Sequence, residues 1–310
     1  MRDIWIVAEN LPWARTLVAG ASSIGQGAKI IAFVNGEEDA AKEAIACGAT
    51  EAFYLPLPSD APWEAYTPTL AEKAKAEKPA LILLSASRRC RDVAAQLAAL
   101  LDLPCFSEGK NIVLTEGKVT VDTMVYGGMA VKNSTAHAET VLVTVGAKDF
   151  EPLPADASRS GAVSALPLAA GRVTVTGRKP REAQTVDLAG AAKVVGVGRG
   201  VSEQGDLAAI RELAKALGAE VGCSRPIAEF FKWMPEECYI GISGQQIKPQ
   251  LYVAVGISGQ AQHYFGIRDA KTIVSINKDK ESLMNKNADY FIVADWKEVV
   301  PELLKAVQNA

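Results

Sequence analysis

Residues 193–200 read KVVGVGRG, a short apolar run interrupted by alternate glycines and closed by an arginine. Val194, Val195 and Val197 favour extended backbone, so the run reads as a strand bounded by a turn. A helix is expected from Asp206 to Leu217, and a second short run, AEVGCS, follows at 219–224. Strand, helix and strand in that order need a crossover, which makes the two strands parallel. Further runs follow at QLYVAVGIS (250–258), TIVSINKD (272–279) and YFIVAD (290–295), before a helix from Lys297. The expected fold of residues 187–310 is a doubly wound parallel sheet.

Towards the N-terminus the same alternation returns. IWIVAE, KIIAFV, EAFYLP and ALILLSA each precede a helical stretch: Pro12–Ser23, Glu37–Ala46, Thr69–Glu77 and Asp92–Leu101. In the last of these, Val93, Leu97, Leu100 and Leu101 form one apolar stripe. From Asn111 to Val145 the period falls to two, in KVTVDTMVYGG and AETVLVTVG, with Gly127-Gly128 as a turn. Antiparallel strands are expected there, completing a first α/β domain over residues 1–186. The segment EPLPADASRSGAVSALPLAAG (151–171) is rich in proline and small residues and reads as a linker-like crossing, with one more strand expected at RVTVTGRK.

Composition narrows the function. Among 310 residues, 33 are Lys or Arg and 36 Asp or Glu, for a net charge of −3. That balance supplies no basic field for nucleic acid or anionic lipid. No stretch approaches the ~20 apolar residues of a membrane span. The N-terminus MRDIWIVAEN lacks the pattern of a secretory signal, so a cytoplasmic location is expected. Five scattered cysteines without a CxxC pair, and only two histidines, argue against a disulfide framework or a zinc site.

In open parallel sheets ligands gather at the carboxyl ends of the strands. In the second domain those ends carry Arg199 and Gly200, Ser224 and Arg225, Ser258 to Gln260, Asn277 and Asp295. Glycine, hydroxyl, amide and single charges are the mixture that surrounds a nucleotide. Gly196-Val197-Gly198-Arg199-Gly200 approximates the dinucleotide fingerprint but has Val201 where the third glycine belongs. Glycines would let backbone approach a phosphate, and Arg199 would add a fork of donors.

The strings VGVGRG, GCSRPIAE, GISGQQIKPQLYVAVGISGQAQH, TIVSINKDK and ADYFIVAD, spread over residues 190–296, resemble the electron-transfer flavoprotein α subunits, with a closer likeness to the branch linked to carnitine metabolism and nitrogen fixation. In the first domain the likeness rests on MVYGGMAV and SRRCRDVAAQLAA. The resemblance implies FAD held by the second domain, a β-subunit partner in a heterodimer, and transient exchange with a dehydrogenase and an acceptor flavoprotein. It places FAD contacts at Arg199, Ser224, Arg225, Ile240, Gly241, Ile242, Ser243, Ser258, Gly259, Gln260, Ala261, Gln262, His263, Asn277, Asp295 and Trp296. Arg225 would sit beside the flavin, where one-electron reduction puts negative charge around N1 and C2=O, and a fixed guanidinium stabilises it. Ser243 would hydrogen-bond flavin N5, and His263 would face the pyrimidine side. Asp295 could instead cap the helix that follows it.

Three places depart from the family pattern: Glu281–Asn285, Cys90, and Ser107-Glu108. No nucleophile, acid/base pair or catalytic metal set is apparent, so a carrier whose flavin does the chemistry is expected rather than an enzyme. Two other readings stay open, a self-sufficient NAD(P)-dependent flavin oxidoreductase and a nucleotide-sensing or structural module.

Overall fold

The computed structural model describes residues 2–57, 60–146, 149–168, 173–177 and 186–309. The chain divides into two compact units, Met1–Pro180 and Arg181–Ala310.

The first unit runs β1 (Ile4–Ala8), α1 (Leu11–Ile24), β2 (Ile30–Asn35), α2 (Glu38–Ala46), β3 (Glu51–Leu55), α3 (Thr67–Glu77), β4 (Leu81–Ser85), α4 (Arg88–Leu101), β5 (Cys105–Phe106), β6 (Lys110–Thr115), β7 (Lys118–Val125), β8 (Ala130–Ala136), β9 (Val141–Val145) and β10 (Ala162–Ala165). Seven strands form one sheet in the order β10-β3-β2-β1-β4-β9-β5, and every pairing in it is parallel. Strands β1 and β4 are buried along their whole length because helices cover both faces. Asn10 and Ser87 start α1 and α4 by accepting from the Trp13 and Cys90 backbone N–H groups at 3.1 and 3.2 Å.

Two expectations are corrected here. The period-two region does hold an antiparallel sheet, β6-β7-β8, but Val141–Val145 leaves it and pairs in parallel with β4 and β5. Its five residues are all buried, which is the signature of a central parallel strand rather than a half-exposed antiparallel one. The linker-like stretch also supplies an edge strand, since Ala162–Ala165 pairs with β3. Small residues suit that edge, where Gly161 packs so close to the Thr50 carbonyl that a Cβ would lie 2.5 Å from it. Residues 173–177 form no strand, and the rest of RVTVTGRK lies outside the described residues.

The second unit runs β11 (Lys193–Val197), α5 (Leu207–Leu217), β12 (Glu220–Cys223), β13 (Leu251–Val255), α6 (Ala261–Tyr264), β14 (Ile273–Ile276), α7 (Leu283–Asn287), β15 (Tyr290–Ile292) and α8 (Trp296–Gln308). Its five strands lie in the order β12-β11-β13-β14-β15, all parallel. Alternate side chains of β11 and β13 go to opposite faces. Val195, Val197, Val253 and Val255 join α5 and α8 in one core, built on Leu207, Ile210, Leu213, Trp296 and Val300. Val194, Tyr252 and Ala254 face a second core with Ile240, Ile247, Ile267 and Met284. The sheet is doubly wound, but its second face is covered by loops and the short α6 and α7 rather than by long helices.

Candidate functional site

The direction in which successive strands are added reverses between β11 and β13, because β12 lies outside β11 while β14 and β15 continue on the other side. In open parallel sheets ligands sit at the carboxyl ends of the strands at such a switch point. The loops that leave here are glycine-rich for a steric reason internal to the protein. A Cβ on Gly198 would lie 2.2 Å from the Gly256 carbonyl oxygen, and one on Gly200 would lie 2.8 Å from the Gly256 Cα. Gly256 itself has φ +63°, a conformation that favours glycine. Backbone bonds seal the pair: Gly198 N–H to Val255 O at 2.8 Å and Gly200 N–H to Gly256 O at 2.9 Å. The fingerprint-like spacing of 196–200 is thus set first by loop against loop, and Gly196 by a phenol, since a Cβ there would meet the Tyr252 hydroxyl at 1.9 Å.

At this edge the sequence-predicted residues separate into two groups. The first is exposed at the carboxyl edge: Arg199 after β11, Arg225 after β12, Ile242 and Ser243 on the 240–245 loop, Ser258 and Gln260 between β13 and α6, and Ala261 and Gln262 in the first turn of α6. The 240–245 loop is joined to α6 by the Ile242 N–H, which donates to Gln262 O at 2.8 Å. Ser243 Oγ is 3.2 Å from the Tyr239 hydroxyl. Arg225 donates from Nε to Glu229 Oε2 at 2.6 Å.

The second group is buried or bonded within the protein. Trp296 is buried and its Nε1–H donates to the Gly200 carbonyl at 3.2 Å, so α8 braces the β11 loop. Asn277 donates from Nδ2 to Ile257 O at 2.8 Å and to Ser282 Oγ at 3.1 Å, while its Oδ1 accepts from Asp279 N–H at 3.0 Å. One bond ties the β14 loop to the β13 loop, and the other is made within the β14 loop. Asp295 Oδ1 accepts from Lys297 N–H at 2.9 Å, which is the helix cap allowed for from sequence. Ser224, Ile240, Gly241 and Gly259 are buried, and Gly259 (φ +76°) packs where a Cβ would lie 2.2 Å from Met284 N.

His263 is 8 % exposed, and its Nε2 lies 2.9 Å from the Tyr252 hydroxyl. Its Nδ1 makes no hydrogen bond of ordinary geometry, although the nearby Ile240 carbonyl favours the protonated ring slightly. Burial dominates and pulls the imidazole pKa down to about 4. Burial likewise pushes the Tyr252 phenol well above its ordinary range. The ring is therefore neutral at pH 7.

Tyr252, Tyr239, Glu229 and the Ser282–Asn285 network were not found from the sequence. Tyr252 had one visible signal, a single hydroxyl-bearing ring within the aliphatic run LYVAV, two residues along from the register partner of a mid-strand glycine.

Residues 187–268 match the family described as Electron transfer flavoprotein FAD-binding domain, and residues 4–171 match Electron transfer flavoprotein domain. The chain belongs to the electron-transfer flavoprotein α-subunit family. Its relatives within that family include YdiR of Escherichia coli K12, assigned by name to the electron transfer flavoprotein subunits, with 35 % identity over 313 residues, covering 100 % of this chain and 99 % of YdiR. FixB of Salmonella typhimurium LT2 is 36 % identical over 309 residues, covering 98 % of each chain. The cofactor of this electron-transfer flavoprotein chain is FAD. This edge suits it, because two arginines, two serine hydroxyls and two glutamine amides stand exposed at the carboxyl ends of the strands, where Trp296 braces the loop after β11. No helix among the described residues is long and apolar enough to cross a membrane.

Proposed function

We propose that this chain is the FAD-holding subunit of a heterodimeric carrier, paired with a β-type subunit, that passes electrons between a dehydrogenase and an acceptor flavoprotein without turning over a substrate of its own. The observation that carries the proposal is the carboxyl edge of the second sheet, where Arg199, Arg225, Ser243, Ser258 and Gln260 stand exposed after the strands, in a chain of this family. We assign residues 187–310 to FAD binding and residues 1–186 to docking of the β subunit, with the complex in the cytoplasm.

FAD supplies the redox chemistry when bound. The chain's residues then have separate tasks. Arg199 takes the pyrophosphate with its fork of donors. Ser258, Gln260 and the start of α6 hold the polar parts of the nucleotide. Arg225, always charged, favours the negative charge that reduction places on the ring. Ser243 would serve flavin N5, with its hydroxyl oriented by the bond to Tyr239. Trp296, Asn277 and Asp295 act one layer below, holding the loops at fixed separation. The neutral imidazole of His263 would serve the pyrimidine side without adding a second full charge.

Co-expression with a β-type subunit should yield a yellow complex whose FAD is reduced by a dehydrogenase, with no NAD(P)H turnover by this chain alone. Counting flavins per purified heterodimer then distinguishes a simple carrier from one with a second flavin on the partner. Sustained NAD(P)H oxidation by the isolated chain would refute the carrier reading. Arg225→Ala should lower the midpoint potential of the bound FAD, and an unchanged potential would remove Arg225 from the flavin's side.

A further inference from the structure

Among the described residues at this edge, Arg225 has its side chain held by an ion pair. Its Nε–H donates to Glu229 Oε2 at 2.6 Å, across the π-helical turn Pro226–Phe230. The bond uses the back edge of the guanidinium. Both terminal nitrogens are left without a protein partner among the described residues, and Glu229 is the sole carboxylate within ion-pairing distance there.

The local backbone is also unusual. Arg225 has φ −47° and ψ −46°, the helical region that a residue before proline normally avoids. The turn that follows closes with Phe231 N–H donating to Pro226 O at 3.0 Å, a π-type bond of the kind enriched at functional sites. As a source of stability the pair has little value, because its side chains are 59 % and 34 % exposed. Its consequences are geometric and electrostatic.

We propose that Glu229 is a positioning residue for Arg225, fixing the guanidinium by its Nε edge so that the terminal nitrogens remain available to the bound cofactor, and tempering the positive charge that the cofactor feels. This rests on the reading of Arg225 as the flavin-side arginine. The carboxylate acts through the arginine and need not touch FAD. A bare guanidinium would stabilise added electrons more strongly, so Glu229 holds the potential below the value that Arg225 alone would set.

Glu229→Gln separates the two effects, since its amide oxygen still accepts the Nε–H while the negative charge is gone. The flavin-loaded complex, Glu229→Gln and Arg225→Gln are compared by spectroelectrochemical titration. Glu229→Gln should shift the equilibrium for the first electron about three- to tenfold toward reduction, as expected for removing one charge at the cofactor's edge, and tenfold is about 59 mV for a one-electron couple. Arg225→Gln should shift it the other way. Glu229→Ala, which removes both acceptor and charge, should accelerate hydrogen exchange at the Arg225 Nε–H, read by NMR. A shift with Arg225→Gln but none, or a fall, with Glu229→Gln overturns the role of Glu229 and leaves the arginine's role intact. No shift with either variant overturns the flavin-side reading of Arg225, and this inference with it. Unchanged Nε–H exchange in Glu229→Ala overturns the positioning half.

Discussion

Acid should destabilise the second unit through His263 in a way that one substitution can isolate. The imidazole has an ordinary pKa of 6.5 and, buried in the fold, one of about 4. Below pH 6.5 the unfolded chain gains a proton at this site that the native chain does not bind. Stability is therefore full above pH 6.5 and is lost as pH falls toward 4, where the native ring finally protonates. Each unit of pKa difference is about 1.4 kcal/mol, so the whole span is about 3 kcal/mol, and about 2 kcal/mol of it falls between pH 7 and 5. The slope near pH 5 is one proton, roughly 1.4 kcal/mol per pH unit. Other carboxylates also titrate there, so the informative quantity is a difference. Urea unfolding of wild type and His263→Gln at pH 7.5, 6.5, 5.5 and 5.0 should show the wild type losing about 2 kcal/mol more than the variant across that range. The one other histidine, His137, is present in both proteins and cancels. Parallel pH profiles would mean that the ring titrates freely, and would refute its burial against Tyr252.

Other consequences follow from the same geometry. Tyr252→Phe removes the one polar partner of His263 Nε2 and should destabilise the unit by about 1–3 kcal/mol, measured by the same unfolding assay; a neutral result would mean that the two side chains are not bonded. Gly256→Val should sharply reduce the yield of folded protein, since φ is +63° and a Cβ there would lie 2.9 Å from the Gly200 Cα; normal expression and melting temperature would contradict the loop packing. Arg199→Ala should speed loss of FAD on dialysis with little change in the flavin spectrum, and retention equal to wild type would remove the pyrophosphate assignment. Burial pushes the Cys223 thiol up to about 12, so alkylation at pH 8 should modify exposed Cys105 in the native protein and Cys223 only after unfolding; early labelling of Cys223 by mass spectrometry would refute this.

The sequence by itself determined the two α/β units, because strand and helix periods alternate at spacings that only parallel crossovers satisfy, and it determined the family through strings such as GISGQQIKPQ and TIVSINKDK. It also placed the candidate residues, since strand ends are visible as the first polar residues after apolar runs. What it did not determine is which of those residues face a ligand and which face the protein. Asn277, Asp295 and Trp296 carry the same chemistry in one dimension as Ser258 or Arg199, and only the folded chain shows the former bonded to Ile257, Lys297 and Gly200. Hydrogen-bond partners dozens of residues apart leave no local pattern to read. The placement of VLVTV has a similar cause, because one buried run pairs equally well with either sheet until its neighbours are known. The glycines of GVGRG show the division most clearly: their presence is legible, but the reason for them, Tyr252 and Gly256 on the adjacent strand and its loop, exists only in three dimensions.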